Sequence, residues 1–493
     1  MKKLIFSILA LLTFYSCINL NAQAPDTLWT KMFLATGGMM DGDAIANFTK
    51  QTDDGGFIAA GYAIDPFLTA FILKTDANGN KLWQKQFYDN PIADGTMTIT
   101  SAAETSDKGY ILLGFGAKPD KGDGLFLFRI KANGDTLWSK YYDHSTDSLI
   151  VSCDIKVAPD NGYIITGTVS PKLLPNQLDI FYMKTDSDGN VLWYRTFGSE
   201  EFTEMGLSVE SDYGGGYLVT GSTNEYYVAL SVVLLKIDED GNLVWNVHYD
   251  NYPDIIYPTE HNRIIKTQDG MFNVSGTEGG DFVLMKIQPD GTREWLTTYS
   301  RENIEQANAI CESDDGGFVL AGYAFTEWPV NSGQALDFPM VVKFDKDGTL
   351  LWDILFYHET EGAFNSINQN SDGGYIVGGL LKNLDAQNFL YLVRLEGQGI
   401  PVKEDITEQS SVSIAPNPLN SQGTINYTVS NSGFVSLKLM DNLGRDVITL
   451  VNSYAVAGSH FINIDGISLP SGTYYCRYQE GSNIEIKKLI IIR

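Results

Sequence analysis

The sequence predicts an all-β chain: a seven-bladed β-propeller closed by its N-terminal strand, followed by a small β-sandwich. A unit of glycine and aromatic residues that closes on a second glycine recurs seven times. After each of the first six units come a basic residue, an Asn-Gly or Asp-Gly turn and a tryptophan. No long segment has the periodicity of a helix. Four-stranded units of this length, stacked radially, are typical of a propeller.

The glycine units mark the second strand of each blade. They are GGFIAAG at 55–61, KGYILLG at 108–114, NGYIITG at 161–167, GGYLVTG at 215–221, GMFNVSG at 270–276, GGFVLAG at 316–322 and GGYIVGG at 373–379. In the first blade, the spacing of apolar runs and turn residues predicts strands A to D at about 44–51, 57–62, 70–75 and 81–87.

A basic residue and a tryptophan, nine residues apart, flank each turn between strands C and D. The pairs are Lys74 and Trp83, Arg129 and Trp138, Lys184 and Trp193, Lys236 and Trp245, Lys286 and Trp295, and Lys343 and Trp352. A two-residue turn at the midpoint puts the two side chains directly across from each other, which permits a cation–π contact. A bulge in the turn would shift this register. We expect the tryptophans to be structural and to pack between blades.

The seventh unit has Arg394 but no tryptophan after it, and Trp29 precedes the first unit in a segment that matches a fourth strand. The N-terminal strand is therefore expected to complete the last blade, with Trp29 close to Arg394. Such closure joins distant parts of the chain and removes an open sheet edge. The propeller is assigned to residues 23–400.

Residues 1–22 have the pattern of a signal peptide, because Lys2 and Lys3 precede an apolar run that is too short to span a bilayer. Cys17 leaves open a lipid-modified N-terminus. No other segment is apolar enough to span a membrane, so no transmembrane segment is expected after the signal is removed. The formal charge of -27 makes nucleic acid an unexpected partner.

A polar linker at 401–412 precedes a C-terminal region with the alternation of a small β-sandwich at 413–493. This region contains Pro416-Asn417-Pro418, then Gly444-Arg445, then Gly472-Thr473-Tyr474, and an apolar tail that begins at Lys487 and Lys488. In these motifs and their order it resembles the type A sorting domain of proteins exported by the type IX secretion system. The resemblance implies passage through the periplasm, contact with the type IX translocon and its sortase, and a final location that is secreted or on the cell surface. An ordinary accessory β-sandwich is the alternative.

The sequence contains no motif for a catalytic, metal or cofactor site. The Asp-x-Asp-Gly stretches at Asp186, Asp238 and Asp345 read as turns, because each becomes an apolar strand where a calcium loop needs further oxygen ligands. Each turn glycine is four residues before its tryptophan, whereas the Asp-box of sialidases places the aromatic three residues after glycine. We therefore expect no metal and no cofactor.

Long loops at one end of the ring are the expected binding region. The candidates come from the loops 323–338, 249–262 and 222–230, and they are Phe325, Trp328, Asp337, Tyr252, Tyr257, His261, Tyr226 and Tyr227. Three functions stay open: a non-catalytic binding or adhesion module for a glycan or protein, a hydrolase or lyase acting on an extracellular polymer, and a structural spacer. Two or three carboxylates meeting a His or Tyr at one mouth of the ring would favour the enzyme.

Overall fold

The structure of the protein is a computed structural model. It describes residues 24–35, 42–64, 68–87, 97–118, 122–143, 147–171, 178–224, 231–249, 263–278, 280–301, 304–327, 335–356, 358, 360–383, 385, 387–397, 412–415, 417, 419, 422–429, 433–440, 446–456, 458–465, 469, 472–480 and 483–491. The chain divides into two compact units, Met1–Ile400 and Pro401–Arg493.

The first unit consists of seven four-stranded antiparallel sheets, which are the seven blades. Blade 1 is β2 Asp43–Gln51, β3 Phe57–Ile64, β4 Leu68–Thr75 and β5 Lys81–Phe87; blade 2 is β6 Met97–Glu104, β7 Tyr110–Lys118, β8 Gly122–Ile130 and β9 Thr136–Asp143; blade 3 is β10 Asp147–Val157, β11 Tyr163–Pro171, β12 Asp179–Thr185 and β13 Val191–Phe197; blade 4 is β14 Glu204–Ser211, β15 Tyr217–Thr223, β16 Ser231–Ile237 and β17 Leu243–Tyr249. Blade 5 is β18 Arg263–Lys266, β19 Phe272–Glu278, β20 Asp281–Ile287 and β21 Arg293–Tyr299; blade 6 is β22 Ile304–Glu312, β23 Phe318–Glu327, β24 Ala335–Phe344 and β25 Leu350–Leu355; blade 7 is β26 Gly362–Gln369, β27 Tyr375–Lys382, β28 Asn388–Leu395 and β1 Thr27–Phe33.

The N-terminal strand completes blade 7, as the sequence predicts. Strand β1 pairs antiparallel with β28, and Trp29 lies directly across from Arg394. The closure continues past the strand, because the Glu396 backbone N–H donates a hydrogen bond of 2.8 Å to the Asp26 carbonyl. The predicted seven-bladed propeller is therefore confirmed, including the strand taken from the beginning of the chain.

Seven hydrophobic clusters hold the ring together, one at each interface between neighbouring blades. The cluster at the closing interface joins Leu390 and Leu392 of blade 7 to Phe71 and Leu73 of blade 1, and all four side chains are at most 1% exposed. Because burial of a Leu or Phe side chain contributes roughly 1.5–3 kcal/mol, this interface stabilises the closed ring.

The turn between strands C and D is not the predicted two-residue turn. In blade 1 the Gly79 N–H bonds the Asp76 carbonyl at 3.1 Å, and Gly79 has a φ of +74°. This is a three-residue connection whose extra residue is Leu82, a bulge in the outer strand. The bulge restores the register, so Lys74 still lies directly across from Trp83. The predicted pairing is therefore confirmed, although the turn type was wrong.

The basic residue of strand C in each blade pairs with an aspartate in the turn between strands A and B. Lys343 has 3% of its side chain exposed, and its Nζ lies 2.5 Å from an oxygen of Asp315. The seven pairs are Lys74–Asp54, Arg129–Asp107, Lys184–Asp160, Lys236–Asp212, Lys286–Asp269, Lys343–Asp315 and Arg394–Asp372. Each pair ties strand C to the A–B turn of its own blade.

Six tryptophans of the outer strands sit on the C–D turn glycine of the next blade. The contacts are Trp29 on Gly79, Trp83 on Gly134, Trp138 on Gly189, Trp193 on Gly241, Trp245 on Gly291 and Trp295 on Gly348. A Cβ atom added to Gly134 would lie 2.6 Å from Trp83. Trp352 faces blade 7, where its ring packs on Tyr375 with the centroids 6.4 Å apart. The tryptophans thus lie between blades, as the sequence predicts.

The second unit is a small β-sandwich. Strands β29 Val412–Ala415, β30 Gln422–Val429 and β33 Gly458–Asp465 form one sheet, and β32 Asp446–Ala455, β31 Gly433–Met440, β34 Gly472–Glu480 and β35 Asn483–Ile491 form the other. A core that includes Ile425 from the first sheet and Leu437, Cys476 and Leu489 from the second is fully buried. This confirms the fold class predicted for the C-terminal region.

Candidate functional site

The innermost strands of the seven blades surround a central cavity of about 330 Å³. Six of these strands contain a β-bulge near the same level of the ring. A bulge changes the direction of the neighbouring side chains. The polar side chains that line the cavity are Asn47, Ser101, Asp154, Lys156, Ser208, Glu210, Arg263, Lys266, Glu312, Asn365, Ser366 and Asn368.

The carboxylate of Asp154, in the cavity wall, accepts four hydrogen bonds. It accepts hydrogen bonds from the Ser101 hydroxyl at 2.8 Å and from the Ser208 hydroxyl at 2.6 Å. It also accepts from the backbone N–H groups of Ile155 at 3.0 Å and Val209 at 3.2 Å. The carboxylate therefore connects blades 2, 3 and 4, and its oxygens are occupied by the protein.

The charges around Asp154 balance one another. Burial acts to raise the pKa of Asp154, but Lys156 and Arg263 reverse this effect and hold the pKa below its ordinary value. Lys156 in turn lies 3.6 Å from Glu210 of blade 4, and Arg263 of blade 5 lies 3.8 Å from Asp154. Carboxylates that are paired and shared between blades in this way stabilise the contact between the blades.

Asparagines at the bulges continue this connection across the closing interface. The Asn308 amide donates to the Phe364 carbonyl at 2.9 Å, and the Asn365 amide donates to the Ala46 carbonyl at 3.2 Å. The Asn47 amide then donates to a carbonyl of blade 2 at 2.8 Å. The relay runs from blade 6 through blades 7 and 1 to blade 2.

Cys311 also faces the cavity, and burial raises the pKa of its thiol to about 12. The thiolate is the reactive form of cysteine, so this side chain is not a nucleophile at neutral pH.

A second cluster lies on strands β22, β23 and β24 of blade 6. It consists of Ile304, Tyr323, Phe325 and Asp337, and we call it the blade 6 rim. Ile304, Phe325 and Asp337 are direct neighbours on three adjacent strands. Ile304 is 55% exposed and Phe325 is 41% exposed. Two residue pairs further along the sheet, the Tyr323 hydroxyl donates to the Gln306 side chain. The rim thus combines an exposed apolar surface with a half-buried carboxylate.

The rim faces an ion pair on blade 7. Lys382 Nζ lies 2.5 Å from Glu361, and both side chains are 37% exposed. Burial raises the pKa of Asp337 above its ordinary value, the negative charge of Glu361 adds to this, and Lys382 opposes it. Burial also raises the pKa of Tyr323, with a further contribution from Asp337. Two carboxylates and a phenol are thereby coupled at one mouth of the ring.

Aromatic rings support the segment that carries Glu361. Phe356 packs edge-on against Phe364 with centroids 5.2 Å apart, and Phe364 stacks on Tyr391 at 5.7 Å. The Tyr391 hydroxyl and His358 Nε2 are 3.3 Å apart, and burial lowers the pKa of His358. The histidine is therefore neutral at physiological pH and has a structural contact.

Of the eight candidate binding residues, two lie within the part of the chain that the structure describes. Phe325 and Asp337 lie together, but on strands and not in a loop, because β23 and β24 have 10 residues each where β15 and β16 of blade 4 have 7. The expected loop 323–338 is therefore much shorter. The candidates outside the described residues are Trp328, Tyr252, Tyr257, His261, Tyr226 and Tyr227.

Part of the C-terminal motif set has a visible structural role. The Asn417 side chain donates to the Lys488 carbonyl at 2.8 Å and accepts from the Ile490 N–H at 2.9 Å, which fixes it to the last strand. Lys488 is exposed and Lys487 is half-buried on β35, and Gly472 begins β34. Pro416, Pro418, Gly444 and Arg445 lie outside the described residues.

Comparison with protein families decides the identity of the second unit. Residues 413–492 match the model of the secretion system C-terminal sorting domain. The C-terminal unit is a type IX secretion sorting domain. The sorting domain marks the protein for export to the cell surface or for secretion, and it implies contact with the type IX secretion machinery.

Solved structures similar to the chain include three of diverse origin. A protein of unknown function from Dyadobacter fermentans is 9% identical, the match covers 76% of this chain and 100% of that chain, and the TM-score is 0.46. PorZ, a surface component of the type IX secretion system of Porphyromonas gingivalis, is 10% identical over 93% of this chain and 82% of that chain, with a TM-score of 0.23. An α-L-arabinanase of Penicillium chrysogenum complexed with arabinobiose is 9% identical over 76% of this chain and 99% of that chain, with a TM-score of 0.41. These scores are too low to carry an argument about activity. No curated protein sequence matches the chain.

The described residues contain no group of three or more His, Cys, Asp or Glu that could hold a metal ion. The Asp-x-Asp-Gly stretches are turns in the structure: Asp186 accepts from the backbone N–H groups of Asp188 at 3.0 Å and Asn190 at 2.7 Å, and from the Asn190 side chain. Within the part of the chain that the structure describes, no helix has the length and apolar character needed to cross a membrane.

Sequence reasoning missed the partners of the buried cations and the bulge asparagines. In six of the seven blades, an aspartate stands three residues before the aromatic residue that opens strand B, as Asp315 does before Phe318. That constant spacing was a readable signal for the ion pair. The asparagines at the bulges had a signal of the same kind, because Asn47, Asn308 and Asn365 each stand 14 residues before the closing glycine of their unit.

Proposed function

We propose that this protein is an exported, non-catalytic binding module, and that its propeller contacts an extracellular glycan or protein through the blade 6 rim. The observation that carries the proposal is the row of Ile304, Phe325 and Asp337, because two exposed apolar side chains lie beside a carboxylate on a rigid sheet. Exposed aromatic residues with a polar neighbour are common anchors of binding surfaces.

The central cavity supports a structural use of the channel. Asp154 is hydrogen-bonded by four groups from three blades, and Lys156 and Arg263 compensate its charge. A substrate would have to break these bonds to reach the carboxylate. We therefore propose the rim, and not the channel, as the binding surface.

The binding proposal is tested with arrays of glycans and of extracellular matrix proteins. The wild-type protein is compared with Phe325→Ala and Asp337→Asn, and with Leu192→Ala as a matched control, since Leu192 is 56% exposed on the outer strand of blade 3. We expect the two rim variants to bind at least about tenfold more weakly, which corresponds to roughly 1.4 kcal/mol. Binding that survives both rim substitutions would place the surface elsewhere, and blank arrays would reject the binding function.

An extracellular hydrolase or lyase is the second candidate, because Asp337, Glu361 and Tyr323 are coupled at one mouth of the ring. A carboxyl group with a raised pKa is suited to act as a general acid. The test is release of new chain ends from a panel of polysaccharides. Activity that disappears in Asp337→Asn and in Glu361→Gln would establish the enzyme. A protein with neither binding nor activity fits the third hypothesis, a spacer.

We also propose that residues 1–22 are removed as a signal peptide and that the propeller begins at residue 23. The pattern of Lys2, Lys3 and the short apolar run supports this. Mass spectrometry of the exported protein gives its first residue. A mature chain that begins with a lipid-modified Cys17 would contradict the proposal.

A further inference from the structure

Strand β19 of blade 5 carries a row of buried polar side chains on one face. Asn273 and Ser275 are fully buried, and Thr277 is 4% exposed. Among the described residues, neither polar atom of the Asn273 amide has a hydrogen-bond partner, and the hydroxyls of Ser275 and Thr277 have none either. Buried polar groups in native proteins are nearly always hydrogen-bonded, to protein or to ordered water.

Blade 3 shows how the same positions are satisfied by protein. Thr166 and Ser275 both precede the closing glycine of their unit, and the Thr166 hydroxyl donates to the Phe181 carbonyl at 2.8 Å. Thr168 and Thr277 both follow that glycine, and the Thr168 hydroxyl accepts from the Gly206 N–H of blade 4 at 3.1 Å. The corresponding hydroxyls of blade 5 make no such bonds to protein.

Asn273 is a polar exception in the repeat. The other six blades have an aliphatic residue at its position: Ile58, Ile111, Ile164, Leu218, Val319 and Ile376. An amide that replaces an aliphatic side chain brings two donors and two acceptor sites into the interface. The interface between blades 5 and 6 therefore contains more polar groups than its protein atoms satisfy.

On the neighbouring strand β20, apolar side chains flank the row. The direct neighbours of Ser275 and Thr277 on β20 are Leu284 and Phe282, which pack in one cluster with Ala307 and other side chains of blade 6. A ligand here must be very small and must both donate and accept hydrogen bonds. Water has this chemistry, and the row contains no charge that would select an ion instead.

We propose that ordered internal water binds between blades 5 and 6, held by Asn273, Ser275 and Thr277. Alternate residues on one face of a strand are about 6.7 Å apart, so one water at about 2.8 Å from each can bridge two of them when the side chains lean together. Two waters satisfy the row. Ile265, which lies directly across from Asn273, lines the central cavity, so one strand separates the site from the channel.

The direct test is a high-resolution crystal structure of the full chain. We expect solvent density within hydrogen-bond distance of the Asn273 amide and of the Ser275 hydroxyl. Side chains that have rotated to bond protein atoms with no solvent between them would overturn the proposal, as would density that refines as a metal ion.

Variants give an independent test that does not depend on crystals. Asn273→Leu places the blade 4 residue in blade 5, and Thr166→Ala in blade 3 is the control that removes a direct bond to protein. We expect Thr166→Ala to lower Tm and Asn273→Leu to leave Tm unchanged or raise it, because the leucine displaces water and not a protein partner. A larger fall in Tm for Asn273→Leu than for the control would show that the amide bonds protein.

Discussion

The contact between Trp83 and Gly134 gives the sharpest prediction about how neighbouring blades are held together. Gly134 has a φ of +80°, and an added Cβ would lie 2.6 Å from Trp83 Cη2 and 2.9 Å from Cζ3. Gly55 has nearly the same φ, +77°, but no atom lies within 4 Å of its Cβ position. Gly134→Ala and Gly55→Ala therefore share the backbone cost and differ in the contact with the indole.

The magnitudes follow from these two terms. A left-handed backbone costs a residue with a Cβ roughly 1–2 kcal/mol, so Gly55→Ala is expected to lose about that much free energy of unfolding. Gly134→Ala also forces the indole to move, and overpacking of this kind costs typically about 1–3 kcal/mol. The total expected for Gly134→Ala is thus roughly 2–5 kcal/mol.

The assay is denaturant unfolding of both variants, with the same two substitutions also made in a Trp83→Ala background. Without the indole, the cost of Gly134→Ala should fall to that of Gly55→Ala, which a double-mutant cycle measures as the coupling between Trp83 and Gly134. Equal losses for the two alanine variants in the presence of Trp83 would refute the claim that the tryptophan needs this glycine.

Three further predictions concern the ion pairs and the relay. The Thr105 hydrogen bond and then Arg129 lower the pKa of Asp107 from 3.8 to about 2, against an opposing effect of burial, so the stabilising contribution of Asp107 is complete above pH 3.8 and is lost as the pH falls toward 2. Asp107→Asn should therefore flatten the loss of unfolding free energy measured between these pH values. An unchanged acid limb would contradict this. Asp315→Ala should lower the free energy of unfolding by about 3–5 kcal/mol, because it leaves the buried ammonium of Lys343 without its carboxylate. Lys343→Met should cost less, since Asp315 is 50% exposed and can be hydrated, and the opposite order in denaturant unfolding would refute the role given to this ion pair. Asn365→Ala should lower the free energy of unfolding by roughly 1–3 kcal/mol, because it leaves buried groups of the relay without partners, and a loss near zero would show that the relay does not stabilise the ring.

The fold was predictable because each blade repeats the same local signals. The glycine at the C–D turn, the tryptophan after it and the missing seventh tryptophan together specify the number of blades and the closing strand. The turn type was not predictable, since an Asn-Gly pair is compatible with a two-residue turn and with a three-residue turn plus a bulge. The bulge at Leu82 compensates for the longer turn, which is why the predicted pairing of Lys74 with Trp83 survives.

The candidate site was less predictable, for a physical reason. Phe325 and Asp337 were selected as loop residues, but they meet because β23 and β24 extend beyond the usual strand length. Their coupling to Glu361 and Lys382 depends on the packing of blade 7 against blade 6, and sequence spacing does not report on a contact between blades. The hydrogen bonds of Asp154 to Ser101 and Ser208 could not be predicted, because bulges in the strands of these serines change the direction of their side chains.

Export is the central claim, and the location of a truncated protein tests it most directly. The full chain and a chain that ends before residue 413 are expressed in a bacterium with a type IX secretion system, and each is followed by antibody in the periplasm, on the cell surface and in the medium. We predict that the full chain reaches the surface or the medium and that the truncated chain, with its propeller still folded, stays in the periplasm. Truncated protein that reaches the outside in normal amounts would contradict the assignment of residues 413–492 as the sorting signal.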